Sequence, residues 1–196
     1  MDAGAAYGGP EVLTWVDAPA PDAGPGQVRI VVRAVSVNPI DWKRLAGAMS
    51  GGQPLAGPEY LGNDAAGVAH EVGEGVTGVS VGDDVFGCGQ GTQSEPAVLD
   101  AWAAKPPSID WVVAAVVGVA GETSERALRL LGIKAGDTLI VDGGAGGVGA
   151  VAVQMAVARG ARVIASASEA NQDYLREIAR PAGTAEPLCS TLFVTS

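Results

Sequence analysis

Cysteine is nearly absent: Cys88 and Cys189 are the only two in 196 residues. Two thiols cannot build a disulfide framework or a four-thiolate zinc site. They suit a reducing cytosol, so a cytoplasmic protein is expected. Histidine is scarcer still, with His70 alone. A single imidazole in a strand-like stretch is more often a structural or surface group than a ligand, and no metal is expected. Basic residues are few: 12 Lys and Arg stand against 22 Asp and Glu, for a formal net charge of −10. This balance argues against non-specific binding to nucleic acid or anionic membranes, which needs clustered cations to displace counterions. Long apolar runs are also lacking. The longest, "WVVAAVVGVAG" from Trp111, is about half of the ~20 residues that cross a bilayer. The opening "MDAGAAYGGPEV" has neither the basic start nor the apolar core of a signal peptide, so none is expected.

Glycine, by contrast, is abundant at 29 residues, in a chain that is 47% hydrophobic. That composition suits a globular α/β or β-rich protein and not a disordered one. Residues 1–110 are dense in glycine, proline and valine. "QVRIVVRAVSV" (27–37) alternates as a strand with one buried face, and 66–87 strings valine-rich strands between turn signals. A small β-barrel or sandwich is expected here. "PIDWKRLAG" (39–47) reads as one short helix with Pro39 in its first turn, where the missing N–H costs nothing. The character changes near Pro106 and Pro107. Ser108 is the expected N-cap of a buried apolar stretch that runs into "SERALRLLG", with Gly132 as its stop.

"VDGGAGGVGAVAVQMAVARGARVIAS" (141–166) then reads as strand, glycine turn, helix closed by Gly160, and a second strand, with a further helix starting in "EANQDYLREI". Strand, crossover helix and strand make a parallel unit. Gly144, Gly146 and Gly149 fit G-x-G-x-x-G. The first glycine is expected to permit the tight turn, the second to admit a pyrophosphate, and the third to let helix pack on strand. The helix N-terminus, carrying Gly147 and Val148, would face the phosphate with free N–H groups. An NAD site usually ends its second strand on Asp or Glu. Here Ser166, Ala167 and Ser168 stand at that place. Small neutral residues leave room for a 2′-phosphate, which favours NADPH over NADH. Glu169 leaves an acidic role open one step later.

With both halves read, "YGGPEVL", "GPGQVRIVVRAVSVNPIDWK", "LGNDAAGVAHEVGEGVTGVSVGDDVFG" and "GIKAGDTLIVDGGAGGVGAVAVQMA" together resemble the medium-chain dehydrogenase/reductase superfamily. The branch they most resemble is that of the zinc-free quinone oxidoreductases, the zeta-crystallin-like enzymes. The resemblance implies an α/β plus β protein: a GroES-like β-barrel catalytic domain over 1–110, followed by the start of a Rossmann NADP-binding domain over 111–178. It also implies hydride transfer from NADPH to a quinone, or to the C=C bond of an enone or alkenal. The zinc-dependent branch carries Gly-His-Glu where this chain has Gly62-Asn63-Asp64, and a cysteine ligand within the segment that reads "SVNPIDW" here.

By position in the family, Asn38 would face the nicotinamide or substrate; its other reading is a turn residue before Pro39. Asp41 and Trp42 would shape the pocket. Lys43 stands where many quinone reductases have a substrate-contacting tyrosine, and would donate a hydrogen bond to a developing enolate; an exposed helix lysine is the commoner case. Thr123 matches a threonine beside the nicotinamide, with a helix N-cap as its other reading. The expected partner is a small-molecule quinone or enone, and a homodimer is left open.

Residues 179–196 do not follow the family pattern. About 60 residues run from Asp137 to the end, whereas six strands with crossover helices need ~150. The expectation is therefore an incomplete Rossmann domain, in a truncated or frameshifted member or in a fragment completed by another chain. A non-catalytic remnant or interaction protein with weak nucleotide binding is the alternative function. An enoyl reductase of polyketide-type metabolism is a variant of the first.

Overall fold

A computed structural model describes residues 2–4 and 6–180 of the chain. The unaligned tail over 179–196 lies outside the described residues except for Ala179 and Arg180. The structure divides into two compact units, Met1–Val119 and Ala120–Ser196, which part inside one long helix.

The first unit is built on two antiparallel sheets. Its short N-terminal strands are β1 (Asp2–Gly4) and β2 (Leu13–Trp15), separated by a 3-10 turn over Pro10–Val12. Strand β3 (Val28–Val35) follows, then helix α1 (Pro39–Leu45), β4 (Glu59–Tyr60), β5 (Asp64–Val72), β6 (Asp84–Cys88), β7 (Ala97–Leu99) and β8 (Ala101–Ala104). The larger sheet runs β7-β3-β5-β6-β8 and the smaller β2-β1-β4. Alternation explains β3, whose Val28 and Ile30 are fully buried while Arg29 and Val31 are not. Strand β5 is central and buried on both faces at its start, and there it uses small residues. Ala65 and Ala69 join Val28, Ile30, Val85, Ala97 and Leu99 in one core. Ala66 faces the other way, onto Ala114 and Ala115 of helix α2 (Trp111–Leu130).

Helix α2 is a single element of 20 residues, so the apolar run and "SERALRL" form one helix. Its cap is Asp110 and not Ser108: the Asp110 carboxylate accepts from the Val113 N–H at 2.7 Å. Both are good capping types two residues apart, but only Asp110 stands three residues before the N–H it satisfies. Gly132 ends the helix in the left-handed region (φ +67), where glycine carries no steric penalty.

The second unit contains β9 (Thr138–Val141), α3 (Gly147–Ala158), β10 (Arg162–Ala165), a 3-10 turn over Glu169–Asn171 and α4 (Gln172–Ile178). Strands β9 and β10 pair in parallel, with Val141 opposite Ala165. Ala150, Val153, Ala156 and Val157 form the buried stripe of α3, at helical spacing. Leu128, Leu139, Val153, Val157, Val163 and Leu175 complete the core. Ile140, on β9, is 74% exposed.

Candidate functional site

The glycine turn between β9 and α3 holds most of the expected cofactor residues together. Its geometry divides the work among the glycines differently from the sequence expectation. The left-handed residue is Gly143 (φ +69), and it makes the tight turn assigned above to Gly144. Gly144 is required for space: a Cβ there would sit 2.8 Å from that of Ala165 and 3.2 Å from Leu175 Cδ2. Gly149 packs the helix onto the turn, since its Cβ would lie 2.3 Å from the Gly143 carbonyl oxygen. Gly147 is open, with nothing within 4 Å of an added Cβ.

Helix α3 begins without a side-chain cap. Gly146 is the N-cap residue, and no acidic residue lies in the first turn. The first intrahelical bond runs from the Ala150 N–H to the Gly146 carbonyl at 2.8 Å. The N–H groups of Gly147, Val148 and Gly149 precede it, and they are the donors that a helix start normally leaves for a cap, water or an anion. Gly146, Gly147 and Val148 are exposed. Such a turn can receive an anion: it has free donors and a positive dipole end.

Ser166 is committed to the turn. Its hydroxyl accepts from the Gly143 N–H at 3.0 Å and donates to the Asp142 carboxylate in a short contact. Ser168 accepts from Asn171 Nδ2 at 2.9 Å, at the start of the 3-10 turn. Thr123 is half-buried inside α2, which removes its reading as a helix N-cap. Its neighbour Ser124, which sequence reasoning passed over, reaches the glycine-turn helix. Fully buried, it donates to the Val148 carbonyl at 3.0 Å. A serine next to a threonine gives no local signal of which one faces inward.

In the first unit Asn38 and Asp64 belong to one buried network. Asp64 is fully buried. One carboxylate oxygen accepts from Ser36 Oγ at 2.7 Å and Asn38 Nδ2 at 2.9 Å. The other accepts from the Val119 N–H at 2.7 Å and from Cys88 Sγ at 3.6 Å. Gly118 admits this approach, because a Cβ there would stand 2.6 Å from the Asp64 oxygen. Asn38 also caps α1 in a capping box, with the Asp41 carboxylate accepting from the Asn38 N–H at 2.7 Å. Asn63 Nδ2 donates to the same carboxylate. Lys43 is exposed on α1, with Nζ 5.7 Å from the Trp42 ring centroid. Among the described residues no group of three or more His, Cys, Asp or Glu is placed to hold a metal. His70 is exposed on β5, its Nδ1 3.5 Å from Arg29.

The family model for the alcohol dehydrogenase GroES-like domain matches residues 24–125, just over half of the chain. The chain belongs to that family, within the medium-chain dehydrogenase/reductase superfamily. Its GroES-like part is the antiparallel first unit, and the parallel β9-α3-β10 unit is a partial Rossmann fold. A quinone oxidoreductase of Pseudomonas aeruginosa is 38% identical over 170 residues, covering 84% of this chain and 51% of the relative. A spectinabilin polyketide synthase protein of Streptomyces orinoci is 39% identical over 178 residues, covering 87% of this chain and 8% of that much longer one. Among solved structures, an Escherichia coli quinone oxidoreductase complexed with NADPH superimposes with a TM-score of 0.74 at 30% identity. That match covers 90% of this chain and 54% of that one. The chain thus spans about half the length of the quinone oxidoreductases it matches. Relatives among these are oxidoreductases, which supports an oxidoreductase family for the chain. No helix among the described residues is long and apolar enough to cross a membrane.

Proposed function

We propose that this chain carries the catalytic domain and the phosphate-binding start of a nicotinamide-dependent reductase. The reductase takes NADPH as cofactor and reduces a quinone, or the C=C bond of an enone or alkenal, without zinc. The carrying observation is the uncapped start of α3 at the Gly143–Gly149 turn, with its open face at Gly147. The NADPH held by the Escherichia coli relative supports the choice of cofactor.

The cofactor would be held by its pyrophosphate at the N–H groups of Gly147, Val148 and Gly149. Ser166 would brace the turn and Ser168 would lie toward the ribose. When bound, the nicotinamide supplies a hydride to the acceptor carbon. The remaining work is positioning and charge stabilisation. Asn38 is held by Ser36, Asp64 and its capping box, so any part it takes is as a fixed polar group. Lys43, exposed on α1, would donate a hydrogen bond to a developing enolate, the role its position in the family suggests. The network at Asn63 and Asp64 replaces a metal ligand set with hydrogen bonds, which supports the zinc-independent reading.

A polyketide synthase protein 39% identical to this chain favours a second reading, an enoyl reductase acting on a polyketide-type enone. Monitoring NADPH oxidation against a panel of quinones, alkenals and an enoyl thioester tests both. Turnover with the thioester alone selects the second reading. NADPH that binds without oxidation by any acceptor supports the non-catalytic alternative instead.

A further inference from the structure

In dinucleotide-binding units the end of the second parallel strand meets the adenosine ribose, and an acidic side chain there accepts from its 2′-hydroxyl. Strand β10 ends at Ala165 and continues into Ser166, Ala167 and Ser168, none of them acidic. The structure supplies the acid from the neighbouring strand. Asp142 directly follows β9, and the register that sets Val141 against Ala165 puts Asp142 and Ser166 side by side at the strand ends. Ser166 Oγ donates to Asp142 Oδ1 and accepts from the Gly143 N–H. The backbone beneath them is fixed as well. The Ser166 N–H reaches the Val141 carbonyl at 3.0 Å, and the Gly144 N–H reaches the Ser166 carbonyl at 2.8 Å. Asp142 is exposed. Its carboxylate is therefore held at the end of β10, where a dinucleotide-binding unit would meet the ribose, with acceptor capacity left over.

The surrounding charge has the same sign. Glu169 is exposed at the start of the 3-10 turn that follows β10. Arg176, the first cation after β10, pairs with Asp173 at 2.6 Å. Arg162 begins β10 and so lies at the opposite end of the strand.

We infer that Asp142 is the specificity-determining residue at the ribose end. It accepts from the 2′-hydroxyl of NADH, opposes the 2′-phosphate of NADPH, and so limits the preference for NADPH that the small residues after β10 allow. This rests on reading the glycine turn as a nicotinamide-cofactor site. A carboxylate facing a phosphate at a solvated site reduces affinity by about five- to tenfold.

The test is a pair of fluorescence titrations, NADPH and NADH, on the full chain and on Asp142→Asn and Ser166→Ala. Asn keeps the shape and the acceptor for Ser166 while removing the charge. The expected result for Asp142→Asn is a rise of about fivefold or more in the NADPH-to-NADH affinity ratio, shrinking as ionic strength approaches about 0.5 M. In Ser166→Ala the charge remains but loses the hydroxyl that holds it, so the ratio should rise by clearly less than in Asp142→Asn. A ratio unchanged in Asp142→Asn while both cofactors bind overturns the assignment and leaves the turn reading intact. An equal shift in Ser166→Ala transfers the effect to distortion of the turn, and also overturns it. Absence of binding by either cofactor in all three proteins overturns the turn reading, and the assignment with it.

Discussion

In the first unit the Asp64 carboxylate collects four donors, from Ser36, Asn38, Cys88 and the Val119 N–H, and is fully buried. At the start of α3, in the second unit, donors outnumber acceptors: three backbone N–H groups follow an N-cap glycine that has no side chain to offer them. One region satisfies its polar groups internally and the other leaves them presented to solvent. Buried polar groups must be paired or they destabilise, so the first arrangement serves the fold. Exposed unpaired donors at a helix end cost little and can receive an anion, which is the role proposed for the second. The contrast separates residues that hold the domain together from residues proposed to bind.

Breaking the closed region should have the largest effect. Asp64→Ala strips the acceptor from Ser36, Asn38 and the Val119 N–H at once, and each stranded donor costs about 1–3 kcal/mol. Urea denaturation should show a loss of more than about 3 kcal/mol. Gly149→Ala comes next. Its Cβ would clash with the Gly143 carbonyl at 2.3 Å, which overpacks the turn by about 1–3 kcal/mol and should lower NADPH affinity at least about tenfold. Ser124→Ala removes the bond to the Val148 carbonyl and should cost about 1 kcal/mol, read as a lower Tm. The smallest change in stability belongs to Gly147→Ala, where an added Cβ meets nothing. Helix propensity should raise stability by about 0.5 kcal/mol. The new methyl group stands where a phosphate would approach, so cofactor affinity should fall. That opposite movement of stability and binding would sharpen the distinction between the two regions.

How much of this was legible in the sequence follows from how local each feature is. Pro39 at the first turn of α1 and Gly132 and Gly160 after α2 and α3 were readable, because proline's ring and glycine's freedom act within a residue or two. The parallel strand–turn–helix–strand order was readable for the same reason. Which glycine turns the chain was not: G-x-G-x-x-G marks identities, and only the backbone shows Gly143 in the left-handed region with Gly144 filling a space problem. Asp110 and Ser108 are both capping residues, and helix register decides between them. The bond from Val119 to Asp64 joins positions 55 apart in sequence, and no periodicity announces it. Ser124 and Asp142 matter through contacts across 24 residues each, which a single sequence does not reveal.

The most direct test of the central claim is a fluorescence titration of NADPH against the full chain and its Gly149→Ala variant. Saturable binding to the parent, weakened at least about tenfold in the variant, is the predicted result. No detectable binding to the parent at about millimolar cofactor, or equal binding by both proteins, would contradict a cofactor site at the Gly143–Gly149 turn.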